Sequence, residues 1–191
     1  MGFFELKDSG LPSVSWKQFN ENTVLDDNYL WTVRMALYEG SDFNLPRIVG
    51  KSAEEAYQGG KELYSKYKHN GIIVYYPYFI ADKSGTMQIN NDETIIEAVD
   101  KDLWNLVTLN NKDVTIIKSN EDTKVYGNEQ FLSEKELDEL FTYEKRVKSL
   151  FRSYIISGKT LILEWSYAYK TNANSDKIGD KYFVFYEIKE V

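Results

Sequence analysis

The chain has very little of what several common functional sites need. It contains no cysteine, which excludes disulfides, thiolate zinc sites and cysteine nucleophiles. Its only histidine, His69, lies in the polar segment KYKHNG, which excludes a zinc site built from several histidines. No apolar run approaches the length of a membrane span, and the first residues, MGFFELKDSG, lack a basic leader with an apolar core. We therefore expect a cytoplasmic protein that does not associate with membranes.

The chain also has fewer basic than acidic residues. The 191 residues include 23 Lys and Arg against 30 Asp and Glu, for a net charge of −7. Because an acidic domain repels the phosphodiester backbone, non-specific nucleic-acid binding is not expected. The hydrophobic fraction of 42% and the aromatic fraction of 15% predict a folded chain with a substantial core.

Apolar periodicity predicts an α+β fold. Ser52 with Glu55 and Ser133 with Glu136 form capping-box patterns, which begin two amphipathic helices, the second extending to residue 156. Strands are predicted at residues 30–38, 72–81, 85–90, 93–99, 113–118, 160–170 and 181–191. This order predicts a largely antiparallel sheet with the two main helices packed on one face. Residues 1–29 are assigned to an N-terminal extension and residues 30–191 to a single domain.

Each of the last two strands has one carboxylate flanked on both sides by apolar or aromatic residues, Glu164 in the first and Glu187 in the second. A carboxylate in such a strand must be solvated, paired or bound to a cation, because an unpaired buried charge is costly. One interpretation is a cross-strand ion pair with Lys189, Lys170 or Arg34. The other is a site for a divalent metal and a polyphosphate.

Two further patterns have both a structural and a functional interpretation. Asp42 and Asn44, in the loop EGSDFNLPR, could form a polar cluster with Arg47 near a ligand or satisfy their own backbone. The aromatic run of Tyr75, Tyr76, Tyr78 and Phe79 could stack on a base or contact a protein partner, and it equally suits strand packing.

Several short motifs follow one another in a familiar order. They are VRMA at residues 33–36, SGTM at 84–87, TIIEAV at 94–99, LSEKEL at 132–137, LEWS at 163–166 and YEIK at 186–189. In this order they resemble the carboxy-terminal part of the ATP-grasp nucleotide-binding domain of the phosphoenolpyruvate synthase and pyruvate phosphate dikinase family. That family carries V-R-S-S-A, V-I-I-E-A and D-I-E-W-A on its strands and L-x-Q-x-R at the end. Residues 1–29 match no amino-terminal lobe with a G-G-K segment, so the resemblance implies a reduced form.

The resemblance implies a nucleotide or other phosphate ligand and Mg²⁺ as cofactor. Glu164 and Glu187 would hold the Mg²⁺ against the phosphates, with Glu187 standing where the family has glutamine. Arg34 would contact a terminal phosphate, and Lys189 would stand in the place of the family arginine.

The adenine would lie against backbone groups near Val74, Tyr75 and Tyr76. The alternative is a non-catalytic domain that contacts another protein through its aromatic-rich sheet face. The spacing indicates no nucleophile or general base, which leaves open whether the chain is an enzyme.

Overall fold

Two compact units make up the chain. The computed structural model describes residues 3–38, 45–103, 106, 111–119 and 122–191. Unit 1 comprises the described parts of residues 1–13, 81–168 and 182–191, and unit 2 those of residues 14–80 and 169–181. Asp42 and Asn44 lie outside the described residues. The predicted division into an extension and a single domain at residue 30 stays a prediction.

The described chain contains runs of strands separated by helices. They are α1 (Phe3–Asp8), β1 (Lys17–Gln18), β2 (Trp31–Leu37), β3 (Arg47–Lys51), α2 (Ala53–Tyr67), β4 (Gly71–Pro77), β5 (Phe79–Ile89), β6 (Glu93–Asp100), β7 (Val114–Ser119), β8 (Thr123–Gly127), α3 (Glu134–Leu150), α4 (Arg152–Ile156), β9 (Leu161–Thr171) and β10 (Lys177–Glu190). None of the described helices has the length and apolar character needed to cross a membrane.

The strands form two antiparallel sheets rather than one. The four-stranded sheet has the order β1-β4-β2-β3, and the six-stranded sheet has the order β10-β9-β5-β6-β7-β8. Strand β1 pairs antiparallel with β4, and β2 pairs antiparallel with both β3 and β4. From β5 to β8, each strand pairs antiparallel with the next. At the open end of the β9–β10 hairpin, Thr160 and Val191 exchange both backbone hydrogen bonds, as opposed residues of antiparallel strands do. The predicted α+β, largely antiparallel fold is thus confirmed.

In unit 2, helix α2 packs on one face of the four-stranded sheet. The predicted capping box is present, because the Ser52 hydroxyl accepts from the Glu55 N–H and the Glu55 carboxylate accepts from the Ser52 N–H. A Cβ at Gly60 would lie 2.5 Å from the Phe19 ring, so glycine allows the helix to approach. The buried core consists of Phe19, Trp31, Val33, Met35, Ala53, Ala56 and Ile73.

In unit 1, helix α3 packs on one face of the six-stranded sheet. Its N-terminal capping box, Ser133 with Glu136, is also present. Every second residue of the strands points toward the helix, and these apolar side chains form the sheet side of the core. The helix contributes Leu140 and Val147. The largest fully buried side chain is that of Trp165. A Cβ at Gly85 would meet this ring and the backbone oxygen of Glu97, so this glycine makes room for the indole and for the neighbouring strand.

A buried ion cluster joins α3 to the sheet. The Glu144 carboxylate, 3% exposed, accepts from Lys118 and Lys148 and from the Thr94 hydroxyl. Burial raises the pKa of Glu144, but these donors lower it by more, and the net pKa lies below its usual value. The cluster therefore contains an ionised carboxylate that helps to fix the helix on the sheet.

Two predicted elements are interrupted in the structure. The strand predicted over residues 72–81 ends at Pro77, and β5 begins two residues later. Proline lacks the N–H that a continuing ladder would need. The helix predicted to reach residue 156 is divided at Phe151, whose φ of −107° and ψ of 27° lie outside the helical range.

Candidate functional site

The two predicted carboxylates lie together around one ammonium group. The Nζ atom of Lys189 is 3.1 Å from Oε1 of Glu164 and 3.2 Å from Oε1 of Glu187. The side chains of Glu164 and Glu187 are 16% and 7% exposed, and that of Lys189 is 34% exposed. We call these three residues the carboxylate–lysine cluster. The structure thus contains the ion pair with Lys189, which was one of the two predicted interpretations of these carboxylates.

Strand register explains why the carboxylates meet. Counting inward from the paired Thr160 and Val191 places Glu164 opposite Glu187. Phe183 and Phe185 of β10 face the core, and the next core residue is Ile188, three positions on rather than two. The alternation between core-facing and outward-facing residues therefore shifts by one position between Phe185 and Ile188. The shift turns Glu187 away from the core and toward Glu164 and Lys189, on the sheet face opposite α3.

The charges of the cluster reinforce one another. Burial lowers the pKa of Lys189, but attraction by the Glu164 and Glu187 carboxylates more than offsets this, and the net pKa is raised. The ammonium therefore stays protonated throughout the neutral range. Without a cation between them, two carboxylates opposed on neighbouring strands would repel each other. The arrangement is a partly buried anionic site that has a cation supplied by the chain itself.

Other polar residues share this face of the six-stranded sheet. Alternation places Ser166 on the same side of β9 as Glu164, and its hydroxyl is 2.7 Å from that of Ser84 on β5, with both residues buried. On β6, Glu97 forms an ion pair with Lys112. The Ser84–Ser166 and Glu97–Lys112 contacts were not predicted, because each joins residues that are far apart in the sequence.

The other predicted site residues belong to unit 2. Arg34, half-buried on β2, is flanked by Arg47 on β3 and Val74 on β4. Tyr76 is opposite Thr32 in the same ladder, so Arg34, Val74 and Tyr76 share the sheet face opposite α2. Val74 and Tyr75 also pair with β1, which engages their backbone groups in the sheet.

The aromatic run mainly contributes packing. The ring of Tyr75 lies with its centroid 5.7 Å from that of Trp31 and 6.3 Å from that of Phe19, against the core of unit 2. Tyr76, Tyr78 and Phe79 are buried or half-buried. These positions give no support to an exposed aromatic surface for a protein partner.

Two further features of the described residues bear on the site. No three Asp, Glu or His side chains in the described ranges gather closely enough to hold a metal ion. Unit 2 contains a shallow pocket of about 200 Å³ that includes none of the predicted site residues. It is lined by Thr23, Val24, Leu25, Asp27, Ala53, Glu54 and Tyr57. The carboxylate–lysine cluster therefore remains the strongest candidate.

Solved structures share this arrangement of strands and helices. One is the N5-carboxyaminoimidazole synthetase of Staphylococcus aureus complexed with ADP, with a TM-score of 0.51 and 15% identity, covering 97% of this chain and 41% of that one. Another is an ADP complex of N5-carboxyaminoimidazole ribonucleotide synthetase, with a TM-score of 0.55 and 11% identity, covering 97% of this chain and 42% of that one. The fold is ATP-grasp-like.

At these identities the likeness concerns the fold alone. This chain spans about two fifths of the length of both enzymes. No protein-family model and no curated protein sequence matches the chain. The ATP-grasp-like part of the predicted resemblance is therefore supported, whereas the dikinase family specifically is not.

Proposed function

We propose that this chain binds a nucleotide or another phosphate ligand, with Mg²⁺ held by Glu164 and Glu187. The carboxylate–lysine cluster is the observation that carries the proposal, since both carboxylates lie within 3.2 Å of one cationic nitrogen. The ATP-grasp-like fold supports the ligand class, and both enzymes named above were solved with ADP.

The donor set of the cluster fits Mg²⁺. This ion binds oxygen ligands and commonly takes one or two carboxylates, with substrate phosphates and water filling its remaining positions. Glu164 and Glu187 supply two such carboxylates on facing strands, already arranged around a positive charge. Bound there, the metal would neutralise phosphate charge, while Lys189 would offer a cationic donor to the same ligand.

The finer assignments follow from the dikinase resemblance and are part of this proposal. Arg34 would bind a terminal phosphate with its fork of donors. The adenine contact expected near Val74, Tyr75 and Tyr76 stays a prediction, because the ladders with β1 and β2 already engage the backbone of Val74 and Tyr75. Such a ligand is abundant in the cytoplasm, which is the location we propose.

Calorimetric titration with ATP and with ADP, with and without Mg²⁺, tests the proposal. The variant carries Glu164→Gln and Glu187→Gln together, which removes both charges and preserves side-chain shape. Glu97→Gln is the matched control, because it removes a carboxylate from the same sheet face without altering the cluster. We expect magnesium-dependent binding to the wild type and to the control, and its loss in the double variant. No binding to the wild type at millimolar nucleotide, or undiminished binding to the double variant, would contradict the proposal.

A further inference from the structure

The dipeptide Asn70-Gly71 lies at the junction between α2 and β4. It is the one place in the sequence where glycine follows asparagine. The Asn70 side chain is exposed, and among the described residues no hydrogen bond holds its amide. Glycine has no side chain beside its own N–H, so its backbone nitrogen can approach the preceding side chain with the least hindrance. An asparagine in this setting can lose its amide group by reaction with the next backbone nitrogen.

The strand register turns that nitrogen away from β2. Gly71 is paired with the last residue of β2, and the N–H of the next residue, Tyr38, donates to the carbonyl oxygen of Asn70 at 3.4 Å. Such a bond flanks a pair of residues that do not bond each other, so the N–H of Gly71 points to the other side of β4. On that side the contacts are with β1 and with Phe19, whose N–H donates to Ile73. Gly71 lies two residues beyond this last contact.

The sheet itself requires the glycine that makes Asn70 reactive. A Cβ at Gly71 would lie 2.2 Å from the backbone oxygen of Ala36 on β2. A side chain cannot be accommodated at that distance, so the close approach of β4 to β2 fixes glycine at this position. Another residue here would suppress the reaction only by disturbing the sheet.

We propose that Asn70 is a site of spontaneous chemical modification in the folded protein. The backbone nitrogen of Gly71, after giving its proton to solvent, attacks the side-chain carbonyl carbon of Asn70. A bond forms between these two atoms and the bond from that carbon to the amide nitrogen breaks, so that the amide nitrogen takes up a proton and leaves as ammonia. Water then opens the five-membered imide at either of its carbonyl carbons, which gives aspartate or isoaspartate.

The isoaspartate product should affect unit 2 more than the aspartate product. In isoaspartate the main chain runs through the side-chain carbon, which lengthens the backbone by one methylene group just ahead of β4. Strand β4 lies between β1 and β2 and contributes Ile73 to the buried core. Because cores are close-packed, displacement of this strand should lower stability. All of these residues belong to unit 2, and the chemistry does not depend on the proposed function.

Mass spectrometry of aged protein tests the reaction. The folded wild type is kept at neutral pH and physiological temperature, and samples taken over weeks are digested with trypsin under mildly acidic conditions. The peptide of residues 69–83 contains Asn70 as its only side-chain amide. The peptide of residues 171–177 is the internal control, because it contains the exposed Asn174 followed by serine. We expect the first peptide to lose its amide severalfold faster than the second and to give both products.

The same measurement in guanidinium chloride separates the effect of the structure from that of the sequence. Because the fold leaves the Asn70 side chain exposed and turns the N–H of Gly71 away from β2, native and unfolded protein should lose this amide at similar rates. An Asn70 that stays intact in the native protein while the unfolded protein reacts would overturn the proposal. Equal rates for the two peptides in the native protein would also overturn it.

Two variants test the effect on stability. Asn70→Gln, whose longer side chain does not readily close the five-membered ring, should stay unmodified, and freshly prepared Asn70→Asp adds the charge without lengthening the main chain. The aged wild type should contain a fraction that unfolds at lower urea concentration, whereas aged Asn70→Gln and fresh Asn70→Asp should unfold like the fresh wild type. An aged, modified wild type with an unchanged unfolding midpoint would overturn the inferred displacement of β4.

Discussion

Replacing the two carboxylates of the cluster singly and together should give strongly non-additive losses of stability. Each single change, Glu164→Gln or Glu187→Gln, removes one charge-assisted contact to Lys189, which taken alone contributes about 1.5–3 kcal/mol. The same change relieves repulsion between the carboxylates and avoids burying one charge. Since Lys189 is about a third exposed, solvent screening weakens all of these terms. We therefore expect each single change to lower the free energy of unfolding by about 0.5 kcal/mol.

The double change removes both contacts, and no relief of repulsion offsets the second loss. We expect it to cost about 2 kcal/mol, with a coupling energy of about 1 kcal/mol. The wild type, the two single variants and the double variant form a double-mutant cycle. Urea unfolding followed by circular dichroism, at low salt and with a chelator present, measures the stability of all four proteins. A matched cycle that combines Glu187→Gln with Glu97→Gln should be additive. If the double change within the cluster costs no more than the sum of the single changes, the picture of one ammonium shared by two carboxylates is wrong.

Two further predictions concern the packing of unit 1. Gly85→Ala should cost about 3 kcal/mol in urea unfolding, because its Cβ would meet both the Trp165 ring and the backbone oxygen of Glu97. A Cβ at Gly179 would have no atom within 4 Å, but φ there is +72°, so Gly179→Ala should cost only about 1 kcal/mol. Equal costs would contradict the packing argument. Glu144 has a folded-state pKa below its ordinary value of 4.5, so its contribution to stability is complete above that value and is lost as the pH falls through the folded-state pKa. Unfolding measured from pH 7 to pH 3 should therefore show the wild type losing its advantage over Glu144→Gln in acid, and a constant advantage would contradict this.

Local signals in the sequence account for much of the fold. Both capping boxes form as predicted, because their hydrogen bonds join residues only three positions apart. The long apolar strands were recognisable by alternation. The short strands β1, β3 and β8 were not predicted, since they are largely exposed and lack a buried apolar face. The division into two sheets also could not be predicted, because it depends on pairings between residues distant in the sequence.

The sequence was sufficient to name the residues of the candidate site, but not to predict how their side chains are arranged. The sequence identified Glu164 and Glu187 as unusual within apolar strands and named Lys189 as a possible ion-pair partner. It could not show that the alternation shifts before Glu187, because no glycine or proline between Phe185 and Ile188 marks the shift. It also left the direction of Tyr75 undecided, and that side chain packs against the unit 2 core.

The composition of the carboxylate–lysine cluster follows from its charges. Glu187 adds a second negative charge beside that of Glu164. Such a pair needs a cation, and Lys189 contacts both carboxylates. An arginine could also neutralise the pair, but its planar fork would favour a fixed bidentate contact with one carboxylate. A lysine is a point charge on a flexible stem, which can bridge two carboxylates. One ammonium shared by Glu164 and Glu187 thus explains how two neighbouring strands carry both acidic side chains on one partly buried face.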